Sequence, residues 1–266
     1  MPIFNNIIKQ SNNALVRTPQ SVFAGIVSSP YQYSVLPFPQ PDSIVAYWEG
    51  GSGITIGTGV SAWVDRIGGV SFAQGTAANQ PTYIQYDSNY NNQASLTFDN
   101  TDSLSAGDVF DIRTLAGMSV MIFCKITNSA ANSASLNKSS AGGSGVGANA
   151  GEYAINVGGT NMTGSFYDTT GRVTTGITDT AVNSKAQLYS LVIDRTNGLL
   201  SMAINGGTAG TVAIGTALTD FNAGASFSIR KNAVTLVVLT VLVYNVALTT
   251  AELNQIAGVL KQKYGQ

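Results

Sequence analysis

The sequence predicts an all-β sandwich with one C-terminal helix and an extended N-terminal arm. Short apolar or alternating runs are separated by turn residues through most of the chain, which is typical of β-strands. A capped amphipathic helix is visible only near the end, and six of the seven prolines lie within the first 42 residues. A chain of 266 residues buries a substantial core, and a β-sandwich of this length can be a single domain.

Residues 1–42 are predicted to be an extended anchoring arm, followed by a sandwich domain at 43–266. Proline removes a backbone donor and biases its predecessor toward extended geometry, so Ser29–Pro41 cannot be helical. The segment is rich in apolar side chains, unlike a solvating linker. It either folds back along its own domain or docks onto another subunit. In the second case we expect the contact to be made by Phe23, Tyr31, Tyr33, Leu36 and Phe38.

From Ser43 onward the chain is predicted to form short strands joined by turns. Asn197-Gly198 and Asn205-Gly206 are strong turn signals. A Ser/Gly/Ala/Asn-rich stretch, Asn128–Gly151, is predicted to be a long surface loop. The valine-rich run Val234–Val246 favours a buried strand. The other predicted strands are Ile44–Trp48, Ser95–Phe98, Met118–Ile126, Leu188–Asp194 and Leu199–Ile204.

One helix is predicted, at about residues 250–263. Thr249 is a good N-cap, and Glu252 completes a capping box. Lys261 favours the negative end of the helix, and Gly265 suits its exit. The apolar stripe that would face the core comprises Leu253, Ile256, Ala257 and Leu260.

The charge pattern excludes several classes of partner. Thirteen basic and fourteen acidic residues are spread thinly, so no basic stripe is present to neutralise phosphates or anionic lipid. We therefore expect neither nucleic-acid nor membrane binding. The start, Met1–Asn6, lacks a basic region followed by a long apolar stretch, so we expect no secretory signal. Val234–Val246 is too short to span a bilayer as a helix, so we expect no transmembrane segment.

The titratable residues argue against catalysis. The chain contains no histidine, which excludes Ser-His-Asp and Cys-His mechanisms. Its single cysteine, Cys124, cannot form an intramolecular disulfide and is predicted to be a small buried hydrophobe. We predict that the protein is not an enzyme.

Three parts of the sequence together resemble the concanavalin-A-like, laminin-G-type domains common in bacterial and phage proteins. The first part matches a "V-x-x-W-x-D-x-x-G" opening and the second a "Q-P … F-D-G-x-D-x-L" pattern, in which Asn100 replaces the usual glycine. The third part is a last strand and helix ending on "K-Y-G". In order, the residues are Ile44–Trp48 with Val60–Gly69, Asn79–Thr82 with Ala94–Leu104, and Val241–Thr249 with Lys263–Gly265.

The resemblance implies a concanavalin-A-like jelly-roll sandwich of two antiparallel sheets, and it implies no single function. Glucanases of this fold carry a Glu-x-Asp-x-x-Glu run. The three glutamates here, Glu49, Glu152 and Glu252, lie in no such run. The fold often holds calcium, which is the only cofactor left open. The metal candidates are Asp99 and Asp102, in a cluster with Asp108 and Asp111. The alternative is that these aspartates cap turns.

A tyrosine-rich segment is the candidate glycan site. Aromatic faces with nearby amides can stack on sugars and bond their hydroxyls. The candidate residues are Tyr83, Tyr86, Tyr90 and Asn91. The alternative is an ordinary polar loop whose ends are anchored by the tyrosines.

These observations predict a structural protein of a bacteriophage particle, either a head decoration or a tail or fibre component. The sandwich would be displayed on the virion, and the arm would anchor it to other virion proteins. The alternative is a carbohydrate-binding module that recognises host-surface glycans. We expect a homo-oligomer located in the virion.

Overall fold

The structure is a computed structural model, and its chain consists mainly of β-strands. It describes residues 15–19, 31–35, 37–99, 101–112, 114–127, 134–139, 151–158, 160–168, 171–179, 184–207, 209–215, 225–231 and 235–266. Among these residues, two large antiparallel sheets, one small two-stranded sheet and one α-helix are formed.

The first large sheet has eight strands in the order β17-β16-β15-β10-β19-β8-β7, and β3 pairs with β19 beside β8. Its long central strands are almost wholly apolar because both of their faces are covered. The strands are β3 (Ile44–Glu49), β7 (Thr82–Asp87), β8 (Gln93–Phe98), β10 (Gly117–Thr127), β15 (Gln187–Asp194), β16 (Leu199–Ile204), β17 (Gly210–Ala213) and β19 (Thr235–Tyr244).

The second large sheet has nine strands in the order β14-β13-β12-β11-β18-β9-β6-β5-β4. They are β4 (Ile54–Ile56), β5 (Val60–Val64), β6 (Ser71–Ala73), β9 (Ser103–Ser105), β11 (Ala134–Ser139), β12 (Gly151–Gly158), β13 (Asn161–Asp168), β14 (Gly171–Thr178) and β18 (Ser226–Lys231). The remaining strands, β1 (Leu15–Pro19) and β2 (Tyr31–Val35), pair only with each other among the described residues.

The main core lies between the two large sheets. Successive side chains on a strand point to opposite faces, so every second residue reaches this layer. Val120 and Leu191 of the eight-stranded sheet share it with Ile155 and Phe166 of the nine-stranded sheet. The result is the face-to-face packing of a β-sandwich.

A second core covers the outer face of the eight-stranded sheet. It is formed by the helix α1 (Thr250–Tyr264), which places its apolar stripe on that face. The Thr249 side chain accepts from the backbone N–H of Glu252, whose carboxylate accepts in return from the N–H of Thr249. The Tyr264 hydroxyl donates to the Leu239 carbonyl at 3.0 Å, fixing the end of the helix on β19. The predicted helix and its capping box are therefore confirmed.

The predicted fold class and its strands are confirmed, with one correction. The stretch Asn128–Gly151 is not a continuous loop, because β11 lies inside it and pairs with β12 and β18. The composition misled because Ala134–Ser139 contains only one large apolar residue, Leu136, and so lacks the apolar alternation that marks a strand. Cys124 is fully buried in the main core, as predicted.

The proline-rich segment begins to contact the sandwich before residue 43. The Phe38 ring is buried in the second core and meets the Tyr47 ring edge-on at 5.4 Å. The Pro39 carbonyl accepts from the Tyr244 hydroxyl at 3.2 Å. The assignment of Phe38 to partner docking is therefore wrong, because this ring is used within its own domain.

The other predicted docking residues are not tested. Phe23 and Leu36 lie outside the described residues, while Tyr31 and Tyr33 belong to β2. Docking of the arm onto another chain stays a prediction. In the part of the chain that the structure describes, no helix is long and apolar enough to cross a membrane.

Candidate functional site

The most exposed aromatic ridge of the described surface follows the edge strand β7. We call Thr82–Tyr86 the edge ridge. Tyr86 is 72% exposed and Ile84 is 40% exposed, and Ile56 and Leu199 are the other large exposed apolar side chains among the described residues. Thr82 and Gln85 are also exposed, and Tyr83 is half-buried against the main core. The ridge therefore combines apolar surface with an amide and a hydroxyl.

The pairing of β7 with β8 decides which way these side chains point. Leu96 and Phe98 of β8 enter the main core, so the residues between them point to the outer face. Ile84 is paired with Ser95 and Thr82 with Thr97, which places both ridge residues on that outer face. The register shifts between Ile84 and Asp87, where β7 carries one more residue than β8. Such a bulge bends an edge strand and re-aims a side chain.

The ridge is held by a compact connection to β8. The Asp87 carboxylate accepts from the backbone N–H of Asn89 at 3.0 Å and from the Ser95 hydroxyl at 2.7 Å. Asn91 and Asn92 both adopt left-handed backbone geometry, with φ of 55°, which asparagine tolerates better than most residues. Because the connection is closed by these bonds, Tyr86 is displayed on a rigid edge rather than on a loose loop.

The structure separates the four candidate glycan residues. Tyr83 and Tyr86 both belong to the edge ridge, and burial, reinforced by the neighbouring Tyr86, raises the pKa of Tyr83. Tyr90 is 3% exposed and belongs to the second core, where burial raises its pKa. A ring so buried cannot stack on a ligand, and Tyr90 is removed from the candidate site.

The fourth candidate, Asn91, is exposed but faces the end of α1. Its side-chain amide donates to the Lys263 carbonyl at 3.3 Å. Asn91 thus joins the connection after β7 to the helix. Ile84 also belongs to the ridge and was missed from the sequence, because no strand was predicted at Thr82–Asp87.

The metal candidates form two separate groups. Asp102 is buried, and its carboxylate accepts from the backbone N–H of Asp99 at 2.8 Å, which is the turn-capping role. Asp108 and Asp111 instead surround the ammonium group of Lys138. No group of three or more cysteine or acidic side chains in the described ranges is arranged to hold a metal ion.

Each of the three glutamates has a structural position. Glu49 is bonded by Tyr47, Arg66 and Lys263, a network that ties β3 to the end of α1. Glu252 closes the capping box. Glu152 is fully buried beside Lys138. A glycosidase needs two carboxylates flanking a sugar, and these three glutamates lie in three separate places.

Comparison with known proteins gives fold similarity only. No family model and no curated protein sequence matches the chain. Similar solved structures include receptor-binding domains of botulinum neurotoxins. One is the binding domain of neurotoxin DC, solved in complex with SialylT, at 12% identity and a TM-score of 0.55 over 82% of this chain and 52% of that one.

Two others illustrate the same relationship. The serotype D ligand-binding domain in complex with N-acetylneuraminic acid has 12% identity and a TM-score of 0.55, covering 82% of this chain and 51% of that one. The type G receptor-binding domain has 10% identity and a TM-score of 0.52, with the same coverages of 82% and 51%. This chain therefore shares its fold with part of these domains, and it spans about half of their length.

Proposed function

We propose that this protein is a non-enzymatic carbohydrate-binding β-sandwich that recognises glycans through the edge ridge. The observation that carries the proposal is Tyr86, a ring 72% exposed on a strand whose geometry is fixed by hydrogen bonds. Most other large aromatic side chains of the described residues are buried. A tyrosine offers a sugar a large rigid apolar face and a hydroxyl at low entropic cost.

The neighbours of Tyr86 suit a sugar better than they suit a protein core. Ile84 extends the apolar surface on the outer face, while Gln85 and Thr82 supply groups that can bond hydroxyls. The Gln85 amide lies 3.5 Å from the Tyr86 hydroxyl. Small-ligand sites typically combine an apolar surface with a small number of precisely positioned polar groups. No charged side chain belongs to the ridge, which favours neutral sugars.

The fold similarity supports this proposal to a limited degree. Similar neurotoxin domains have been solved in complex with SialylT and with N-acetylneuraminic acid, and cell entry of neurotoxin type C depends on interaction with two ganglioside molecules. The matched part is about half of each of those chains, so their ligands are not transferred to this one. What supports glycan binding here is the ridge, together with a fold found in receptor-binding proteins.

The proposal is tested by retention on a panel of immobilised neutral and sialylated glycans. Wild type should bind at least one neutral glycan, and Tyr86→Ala should lose about tenfold or more in affinity, equivalent to about 1.4 kcal/mol. Ile56→Ala is the matched control, because Ile56 is 53% exposed on β4, outside the ridge. Absence of any retention by wild type would discard the proposal, and equal losses in both variants would remove the ridge from it.

A structural role in a bacteriophage particle is the second candidate. It rests on the sequence resemblance and on the hairpin of β1 and β2, which pairs with neither large sheet among the described residues. A lone two-stranded hairpin is marginally stable and gains from a partner surface. The neurotoxin domains described above lend this role no support.

The hairpin role can be tested without disturbing the core. A deletion of residues 1–36 retains Phe38, which the second core requires. The shortened protein should fold with an unchanged denaturation midpoint but fail to join particles imaged by electron microscopy. Incorporation at full occupancy would contradict the anchoring role.

A further inference from the structure

A lysine ammonium group is buried between the two sheets, at one end of the sandwich. The Lys138 side chain is 0% exposed, yet its nitrogen has four oxygen neighbours. These are Asp108 Oδ1 at 2.5 Å, Asp111 Oδ1 at 2.8 Å, the Val109 carbonyl at 2.9 Å and the Ala225 carbonyl at 3.1 Å. A buried cation is tolerable only when it is paired and hydrogen-bonded in this way.

A strand irregularity brings a third carboxyl group into the same place. Lys138 is paired with Tyr153, whereas the next residue, Ser139, is paired with Gly151. Glu152 is therefore the extra residue of a β-bulge, which rotates its side chain away from the regular alternation. It is completely buried, and its Oε2 accepts from the backbone N–H of Ile112 at 3.2 Å.

Glu152 is placed to keep its proton. Its Oε1 is buried without a hydrogen-bond partner, and the neighbouring Asp111 carboxylate carries charge of the same sign. Both features disfavour the ionised form. Burial raises the pKa of Glu152 to about 7, with Lys138 opposing and Asp111 reinforcing the rise.

The carboxyl groups hold the connection between β9 and β10 against the sandwich. Phe110 in this connection has a left-handed backbone, with φ of 60°, a rare and strained state for an aromatic residue. Its ring meets Phe227 edge-on at 5.2 Å, and its carbonyl accepts from the Tyr153 hydroxyl at 3.1 Å. Arg195 donates to the Leu115 carbonyl at 2.8 Å, which anchors the end of this connection that precedes β10.

We propose that Lys138, Asp108, Asp111 and Glu152 form a proton-dependent latch that holds Asp108–Ile112 on the end of the sandwich. With Glu152 protonated, the cluster carries one positive and two negative charges. When Glu152 loses its proton, its buried carboxylate and the partly exposed carboxylate of Asp111 repel each other, and a single ammonium group cannot neutralise all three anions. The segment is then released from Glu152.

The direction of the pH dependence follows from linkage. A carboxyl group whose pKa is raised in the folded state binds its proton more tightly when folded than when unfolded. Its contribution to stability is present at low pH and is lost as the pH rises from about 4.5 through about 7. The chain has no histidine, so no other side chain ordinarily titrates across this window. The terminal amine also titrates in this range. The Glu152→Gln variant keeps that amine and therefore serves as the control for it.

The latch is tested by carbon-13 NMR of protein labelled at the glutamate carboxyl carbon, which gives three signals from three glutamates. Glu152 should titrate with a midpoint near 7, while hydrogen bonds keep the pKa of Glu252 below its usual value. Hydrogen exchange of the Ile112 amide, corrected for its intrinsic rate, should accelerate about tenfold or more between pH 6 and 8. A Glu152 midpoint below 5.5 would overturn the proposal.

Two variants separate the latch from general unfolding. Glu152→Gln cannot ionise, so its Ile112 exchange should be independent of pH. Asp111→Asn can donate to Glu152, so it should lower the Glu152 midpoint and move the exchange transition to lower pH by the same amount. Acceleration that persists in Glu152→Gln, or a Glu152 titration near 7 with constant Ile112 exchange in wild type, would contradict the latch.

Discussion

Tyr86 and Tyr90 flank the same short connection, yet they belong to regions with opposite roles. Tyr86 is displayed on the edge ridge, whereas Tyr90 is buried in the second core with Tyr264 and Leu260 of α1. Gln266, directly after the helix, donates to the Asn89 carbonyl at 3.1 Å, so the helix ends against this connection. The helix covers one part of the outer sheet face and leaves the ridge uncovered. Whether α1 covers a tyrosine therefore decides which of the two rings is available to a ligand.

The largest expected difference between the two regions is in stability. Tyr90→Ala should lower the free energy of unfolding by about 3 kcal/mol, because it leaves a cavity in the second core. Tyr90→Phe retains the ring and should cost less than about 1 kcal/mol. Urea denaturation of both variants measures the contrast. A loss below about 1 kcal/mol for Tyr90→Ala would show that this ring is not packed as described.

The next effect concerns the network that ties the helix end to β3. Glu49→Gln should cost about 1–2 kcal/mol, because Arg66 and Lys263 lose their common anion. The expected cost is moderate because both cations remain about one-third exposed to solvent. Denaturation in low and high salt measures the loss, which should shrink in high salt. Lys263→Met in the Glu49→Gln background should then add little, whereas fully additive losses would contradict the network.

A smaller effect is expected at the other end of the helix. Thr249→Ala removes the side chain that accepts from the Glu252 backbone and should cost about 1 kcal/mol. Thr249→Ser keeps an acceptor oxygen and serves as the control. A denaturation midpoint of Thr249→Ala equal to that of wild type would mean that the cap contributes nothing to covering the sheet.

The helix and six strands of the eight-stranded sheet could be predicted because their signals are local. The capping residues of α1 are adjacent in sequence to its apolar stripe. The valine-rich composition of β19 predicts a buried strand. The division between Tyr86 and Tyr90 could not be predicted, because it depends on a register shift in β7 and on where α1 docks. Lys138 was missed for a related reason. It lies in a polar stretch, and only the pairing of β11 turns its side chain into the core.

The same limit explains how the structure distributes the other predicted site residues. Four aspartates close in sequence suggested one ligand cluster. Strand β9 separates Asp99 and Asp102 from Asp108 and Asp111, so the two pairs serve different contacts. Phe38 looked like part of a free apolar arm, because nothing in its own segment indicates the Tyr47 ring against which it packs.

The smallest expected effect on stability is at the ridge, which is where the effect on binding should be largest. Tyr86→Ala should change the free energy of unfolding by less than about 0.5 kcal/mol, because the exposed ring supports no core. A large loss of stability in this variant, measured by urea denaturation, would break the distinction between the two regions.

The central claim is that a glycan covers the Tyr86 ring. Photochemically induced nuclear polarisation reports the exposure of individual tyrosine rings in solution. Free protein should give a strong Tyr86 signal and none from Tyr90. Addition of a glycan that the protein retains should suppress the Tyr86 signal in proportion to occupancy, and a glycan that is not retained should leave it unchanged. A Tyr86 signal that stays constant while a glycan is bound would contradict the account.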